Sequence, residues 1–179
     1  FTLVGDENQA IFNSSTTFAD IMRCFDDYHL PIHRYDLRNS YRSSGAITEL
    51  FKTYAVDQEK IDIVSIRPQG KEPEYRSFRS SEELLEILAE ILASLKGEKA
   101  AIITQTEEET QTLQESIKKS SYGLENCQII PLSLAKGLEF DHVILYPFEN
   151  DRDEQRRRRQ MYTAISRGMK SIVVLERET

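Results

Sequence analysis

Short apolar runs alternate with amphipathic runs along this chain. Residues 1–4 are mostly apolar and stop at Gly5, which predicts a buried strand. A weaker strand is predicted over 35–37. Ser43 and Ser44 are candidate caps for a helix that puts Ile47, Leu50, Phe51 and Tyr54 on one face. Residues 61–66 read as a strand or a loop, and Pro68, Gly70 and Pro73 mark a turn. A strand follows over 75–78. Ser80-x-x-Glu83 is a capping box, and Leu84, Leu85, Leu88, Leu92 and Leu95 then recur at helical spacing until Gly97. Residues 100–103 form a strand. Thr106-x-x-Glu109 is a second capping box, opening a helix through Leu113 and Ile117. Strands over 128–132 and 143–146, a helix over 156–167 and a strand over 172–175 complete the pattern.

Strands alternating with helices predict an α/β domain with a mostly parallel sheet and helices on both faces. Sheets of this kind bind ligands at the carboxyl ends of their strands. Chemistry is therefore expected in the loops after Val4, Leu37, Leu132 and Tyr146.

The length of 179 residues suits one domain with a substantial core. No apolar run approaches the roughly 18 residues of a spanning helix, and no signal-peptide pattern is present. The first residue is Phe1, already inside an apolar run, so the chain reads as a piece of a longer protein. Net charge is −7, with 23 Lys and Arg against 30 Asp and Glu. That excludes a generally basic nucleic-acid binder and requires any anion site to be local. Cys24 and Cys127 are far apart and lack a CxxC partner, which argues against zinc and for reduced thiols in the cytoplasm. His29 and His33 are separated by Pro31 and read as loop residues, not metal ligands.

Four segments carry candidate chemistry, and each has a plain structural alternative. Gly5-Asp6-Glu7-Asn8-Gln9 is also an ordinary strand-ending turn. Asn39-Ser40-Tyr41-Arg42-Ser43 is also a helix entry with a solvated arginine. Lys136-Gly137-Leu138-Glu139-Phe140 is also a tight turn. Arg167, at the end of Tyr162-Thr163-Ala164-Ile165-Ser166-Arg167, is also a cation placed favourably at a helix C-terminus.

Together and in this order, the segments resemble the later motifs of UvrD/Rep-type superfamily 1 DNA helicases. Thr2-Leu3-Val4-Gly5-Asp6-Glu7-Asn8-Gln9 is similar to T-x-x-G-D-x-x-Q. Leu37-Arg38-Asn39-Ser40-Tyr41-Arg42-Ser43 resembles L-x-x-N-Y-R-S, with Ser40 between the asparagine and the tyrosine. Ala135-Lys136-Gly137-Leu138-Glu139-Phe140-Asp141 is similar to A-K-G-L-E-F-D, and residues 162–167 to Y-V-A-L-T-R. The seven glycines contain no G-x-x-x-x-G-K-[ST] phosphate loop. In this family that loop and the magnesium-binding carboxylates belong to an upstream N-terminal RecA-like domain. The interval from Arg42 to Lys136 is too short for the family's large helical insertion. The resemblance thus implies that residues 1–179 are the second, C-terminal RecA-like domain, a three-layer P-loop NTPase-type fold without that insertion.

The resemblance also implies roles. Arg42 and Arg167 would act on the γ-phosphate of ATP as arginine fingers, and Gln9 would sense that phosphate or position the attacking water. Tyr41 would stack on adenine, Glu139 would accept from the ribose, and Gly137 would let backbone approach the nucleotide. Asp6 would hold the motif loop rather than touch metal. ATP with Mg2+ is the implied cofactor, its metal ligands lying in the N-terminal domain. The implied partners are that domain and single-stranded DNA, held weakly by this fragment alone. No membrane partner is implied.

Departures narrow the picture. The family follows the glutamine with a serine, a tyrosine two residues on and then a tryptophan; here Gln9 is followed by Ala10, Ile11, Phe12 and Asn13, and the chain has no tryptophan, leaving Phe12 as the stacking platform for a base. Pro131 and Ser133 stand where the family has the threonine and histidine that touch the strand, so Ser133 is the remaining strand contact there. Nucleotide-facing residues are kept and strand-facing ones altered, a pattern most similar to the HelD-type branch, whose members act on bacterial RNA polymerase. The alternative is a protein-docking α/β module of a polymerase-associated factor with no part in hydrolysis. The basic run 156–159 follows Asp151, Asp153 and Glu154, and reads as a salt-bridged helix face.

Overall fold

The computed structural model describes residues 2–12, 16–29, 31–56, 62–120, 122, 126–149 and 151–178. A single 3-10 turn at Glu7–Gln9 is followed by α1 (Phe18–Asp27), β1 (Asn39–Ser40), α2 (Gly45–Thr53), β2 (Val64–Ser65) and β3 (Glu74–Phe78). Then come α3 (Ser81–Ser94), β4 (Ala100–Thr104), α4 (Glu107–Lys119), β5 (Cys127–Pro131) and α5 (Leu132–Ala135). The chain ends with β6 (Phe140–Leu145), α6 (Glu154–Ile165) and β7 (Gly168–Arg177). Five strands form one sheet in the order β3-β7-β6-β4-β5, and every neighbouring pair is parallel. β1 and β2 make a separate parallel pair.

The sheet is buried on both faces, so its inner strands read as continuous apolar runs rather than alternating ones. Successive side chains still point to opposite sides. Ile103, Val143, Leu145, Ile172 and Val174 pack in one core with Ile47 and Phe51 of α2 and Tyr162 and Ile165 of α6. Ile102, Ile144, Val173 and Leu175 pack in the other with Leu84, Leu88 and Ile91 of α3 and Leu113 of α4. The result is the three-layer α/β arrangement read from the sequence.

Capping follows the local code with two exceptions. Thr106 and Glu109 make both bonds of the capping box on α4. Ser80 accepts from the Glu83 backbone on α3, but the Glu83 carboxylate turns to the Arg79 N–H (2.7 Å) instead of closing the box. Ser44 stands at the start of α2 without a side-chain cap bond.

Three expectations are corrected. Residues 2–4 form no strand: Leu3 is 58% and Val4 82% exposed, and Phe1 lies outside the described residues. A strand exists only through pairing, and no described strand pairs with this run. Tyr35 and Leu37 are likewise exposed, and the pairing falls two residues later, on Asn39 and Ser40. Helix α1 was not expected. Thr17-x-x-Asp20 is its capping box, and Phe18, Ile21, Met22 and Phe25 give it one half-buried stripe. Residue 61 of the segment read as strand or loop lies outside the described residues, and the paired part is Val64–Ser65.

The basic run on α6 is salt-bridged as read: Arg156 pairs with Asp151, and Arg157 with Glu154. Arg158 does more, donating from Nη2 to the Thr53 (2.5 Å) and Ala55 (3.0 Å) carbonyls at the end of α2. It thereby satisfies carbonyls that a helix terminus leaves open.

Candidate functional site

Helix α6 runs back against the parallel strands, so its C-terminus meets the amino end of β7. Arg167 sits in that junction, immediately before Gly168. It is 2% exposed. A buried guanidinium requires acceptors for its fork of donors, and this one has them. Nε donates to the Thr163 carbonyl (3.1 Å) and Nη1 to the Leu138 carbonyl (3.3 Å). Nη2 donates to Ser166 Oγ (2.9 Å) and to Gln9 Oε1 (3.3 Å). Burial pushes its pKa below the ordinary value, and the Arg42 cation adds to that, with Glu139 and Asp6 opposing.

Gln9 is held from three sides. Asp6 caps the 3-10 turn by accepting from the Asn8 backbone (3.0 Å), and its other oxygen accepts from Gln9 Nε2 (3.0 Å). Arg167 takes the amide oxygen. Lys136 Nζ donates to the Gln9 carbonyl (3.1 Å) and lies 5.4 Å from the centre of the Phe12 ring. Asp6 also faces Tyr162, whose phenol pKa is raised by burial first and by that carboxylate second. Asp6 is thus a loop-holding residue, as the sequence suggested.

Arg42 reaches the same place from the segment between β1 and α2. Ser43 Oγ donates to the Gly168 carbonyl (2.6 Å) and the Ser44 N–H to the Met169 carbonyl (3.0 Å), pinning this entry to the start of β7. The Arg42 guanidinium lies 2.5 Å from Glu139 Oε1, and both side chains are about two-fifths exposed. Glu139 comes from the turn between α5 and β6. Gly137 makes that turn at φ +87°, a left-handed conformation in which a side chain is strained. Space around its Cα is open, which fits close approach by a ligand.

Gln9, Arg42, Gly137, Glu139 and Arg167 therefore gather in one place. Tyr41 adjoins Arg42 and is 67% exposed, its carbonyl taking a bond from Arg67 Nε (3.1 Å). Phe12 is 53% exposed at the Lys136 edge. Ser133 is an exposed residue of α5, and among the described residues no hydrogen bond joins it to the cluster. The location corrects the expectation of a site at the carboxyl ends of the strands. Glu139 immediately precedes β6 and Arg167 immediately precedes β7, so the cluster lies at their amino ends. Ser43, Lys136 and Tyr162 all position it, and all lie inside the quoted motifs, although nothing in the motifs signals their partners.

The cluster holds the guanidiniums of Arg42 and Arg167, the carboxamide of Gln9 and the carboxylate of Glu139, with Asp6 and Lys136 bonded to Gln9 beside them. A second polar cluster was not anticipated. His142 bridges Ser171 Oγ (2.8 Å from Nδ1) and Glu98 Oε2 (3.0 Å from Nε2), and Lys170 Nζ contacts Glu98 (2.9 Å) and Asp141 (3.0 Å). The hydrogen bond from His142, then Lys170, holds the Glu98 carboxyl down at about 2. Every ring nitrogen and hydroxyl in this cluster is bonded within it, which makes it a tie between β6, β7 and the turn before β4.

Among solved structures, the C-terminal domain of a possible DNA helicase from Lactobacillus plantarum WCFS1 superposes with a TM-score of 0.60 at 27% identity, covering 76% of this chain and 86% of that one. The PRRSV helicase aligns at 15% identity with a TM-score of 0.46, over 86% of this chain and 25% of its own. No curated protein matches in sequence. The fold is RecA-like α/β, as in the helicase C-terminal domain. Residues 1–176 match the family model of the viral superfamily 1 RNA helicase core domain, and the chain belongs to that family of helicase core domains.

Proposed function

We propose that this chain is the C-terminal motor domain of an ATP-dependent helicase of the UvrD/Rep type, nearest to the HelD-type branch. The observation that carries this reading is the convergence of Gln9, Arg42, Glu139 and Arg167, from four separate segments, on one surface. The two arginines would stabilise charge spread over the transferring phosphoryl oxygens, an effect worth about 10³–10⁵ in rate in comparable systems. Gln9 would orient the attacking water. Tyr41 would stack on the adenine, and Glu139 would accept from the ribose. The exposed guanidinium of Arg42 and the open space at Gly137 suit a triphosphate. ATP would be shared with an N-terminal RecA-like domain of the same cytoplasmic protein. The Mg2+ that accompanies ATP would be held by that other domain.

Buried Pro131 and exposed Ser133 provide little for a nucleic-acid strand. The motor would therefore act chiefly on a protein, with bacterial RNA polymerase as the proposed object. The test compares this chain alone with the intact protein. The chain alone should release phosphate from ATP at background rate. The intact protein should hydrolyse ATP, gain little from single-stranded DNA or RNA, and co-purify with RNA polymerase. Strong stimulation by either nucleic acid with efficient unwinding, and no polymerase association, would return it to the nucleic-acid-unwinding class. Robust turnover by the chain alone would overturn the half-site reading.

A further inference from the structure

We propose that Glu139 is a built-in occupant of the phosphate site. Its carboxylate holds Arg42 while nucleotide is absent, and binding of a nucleoside triphosphate exchanges this pair for one between Arg42 and the terminal phosphate. The inference rests on the nucleotide-site reading given above.

Three observations support it. First, the contact is an ion pair without hydrogen-bond geometry: Arg42 Nε, itself buried, lies 2.5 Å from Glu139 Oε1, while the two side chains are about two-fifths exposed, so the remainder of the pair is accessible to a competing anion. Second, the neighbouring Arg167 is fixed: it is 2% exposed and bonded to four acceptors. A second guanidinium placed beside a fixed one is repelled unless an anion stands with it. Third, Arg167 itself delivers that anion. Its Nη1 binds the Leu138 carbonyl at 3.3 Å and its own carbonyl accepts from the Phe140 N–H at 2.9 Å. These are the residues on either side of Glu139. The backbone at Glu139 is thus clamped by one arginine, while its side chain neutralises the other.

A phosphate carries the same charge and the same oxygen acceptors to a guanidinium, so it competes for the same partner. An exposed ion pair favours the held state by only a few-fold. The apparent affinity for the competing ligand falls by the fraction of molecules held. Replacing Glu139 by Gln removes the competing charge and keeps an amide oxygen for a hydroxyl.

The experiment measures ATP and ADP dissociation constants, with Mg2+, for the intact protein and for Glu139→Gln, Glu139→Asp, Arg42→Ala and the double variant Arg42→Ala/Glu139→Gln. Thermal unfolding of each confirms that it is folded. Glu139→Gln should bind ATP about two- to fivefold tighter, with a smaller change for ADP. Glu139→Asp, which keeps the charge, should keep the wild-type ratio of ATP to ADP affinity. In the Arg42→Ala background the Glu139→Gln change should have no effect. Unchanged or weaker ATP binding by Glu139→Gln, while Arg42→Ala weakens it, would overturn the exchange and leave the nucleotide site standing. Tightening that persists without Arg42 would also overturn it, because the effect would then be general charge. If the intact wild-type protein bound neither ATP nor ADP, the nucleotide-site reading itself would fail.

Discussion

Arg167 and Gln9, 158 positions apart in sequence, are joined by a hydrogen bond from Nη2 to Oε1 at 3.3 Å. That bond ties the first motif of the chain to the last. It also makes Arg167 as much a clamp as a charge, since the same side chain holds Leu138, Thr163 and Ser166.

Arg167→Lys should therefore destabilise the fold although the charge is kept. A lysine ammonium cannot reproduce the planar fork, and acceptors at Gln9 and Leu138 would lose their donor. The expected loss is about 1–3 kcal/mol. Urea denaturation measures it, and an unchanged midpoint would show that the clamp contributes nothing.

Arg42→Ala should behave differently. Its side chain is two-fifths exposed, and its contact is with the partly exposed Glu139 carboxylate. The variant should keep its unfolding temperature and bind ATP within roughly tenfold of wild type, while turnover of the intact protein falls by about 10³. Steady-state ATPase assays combined with equilibrium ATP binding separate the two effects. Normal turnover would remove Arg42 from the catalytic machinery.

Gly137→Ala isolates the backbone of the turn that carries Glu139. A Cβ there meets open space, so any cost comes from the left-handed φ of +87°. The expected cost is about 1–2 kcal/mol, read by chemical denaturation. No loss would mean that the turn adopts another conformation in solution.

Glu98→Gln should reveal a pH-dependent tie. The Glu98 carboxyl is depressed in the folded chain to about 2 by His142 and Lys170, from an ordinary value of 4.5. A depressed acid stabilises the fold fully above its unfolded value and loses that contribution as pH falls through its folded value. Wild type should therefore unfold at a higher temperature than the variant at pH 6, and the gap should narrow between about pH 4.5 and 2. A gap independent of pH would mean that the carboxylate charge is not what holds Lys170 and His142.

The three-layer class was legible in the chain because its signals are local. Residues 100–103 are apolar throughout because both faces of the strand are covered, and Thr106-x-x-Glu109 starts α4 with groups only three residues apart. The candidate site residues Gln9, Arg42, Glu139 and Arg167 could be named from the chain too, since they stand in recognisable motifs, and they lie together in the fold. Their arrangement was not. An apolar run such as Leu3-Val4 reads as a buried strand whether or not another strand pairs with it, and here none among the described residues does. Whether Glu139 and Arg167 lie at the carboxyl or the amino ends of the strands depends on how the α5–β6 and α6–β7 junctions stack side by side. That Arg167 is buried with four acceptors, while Arg42 stands half-buried against Glu139, depends on contacts between segments distant in the chain: Gln9 with Arg167, and Arg42 with Glu139. Sequence supplied the charged groups; only the parallel sheet, by bringing the starts of β6 and β7 together, decided which charge faces which.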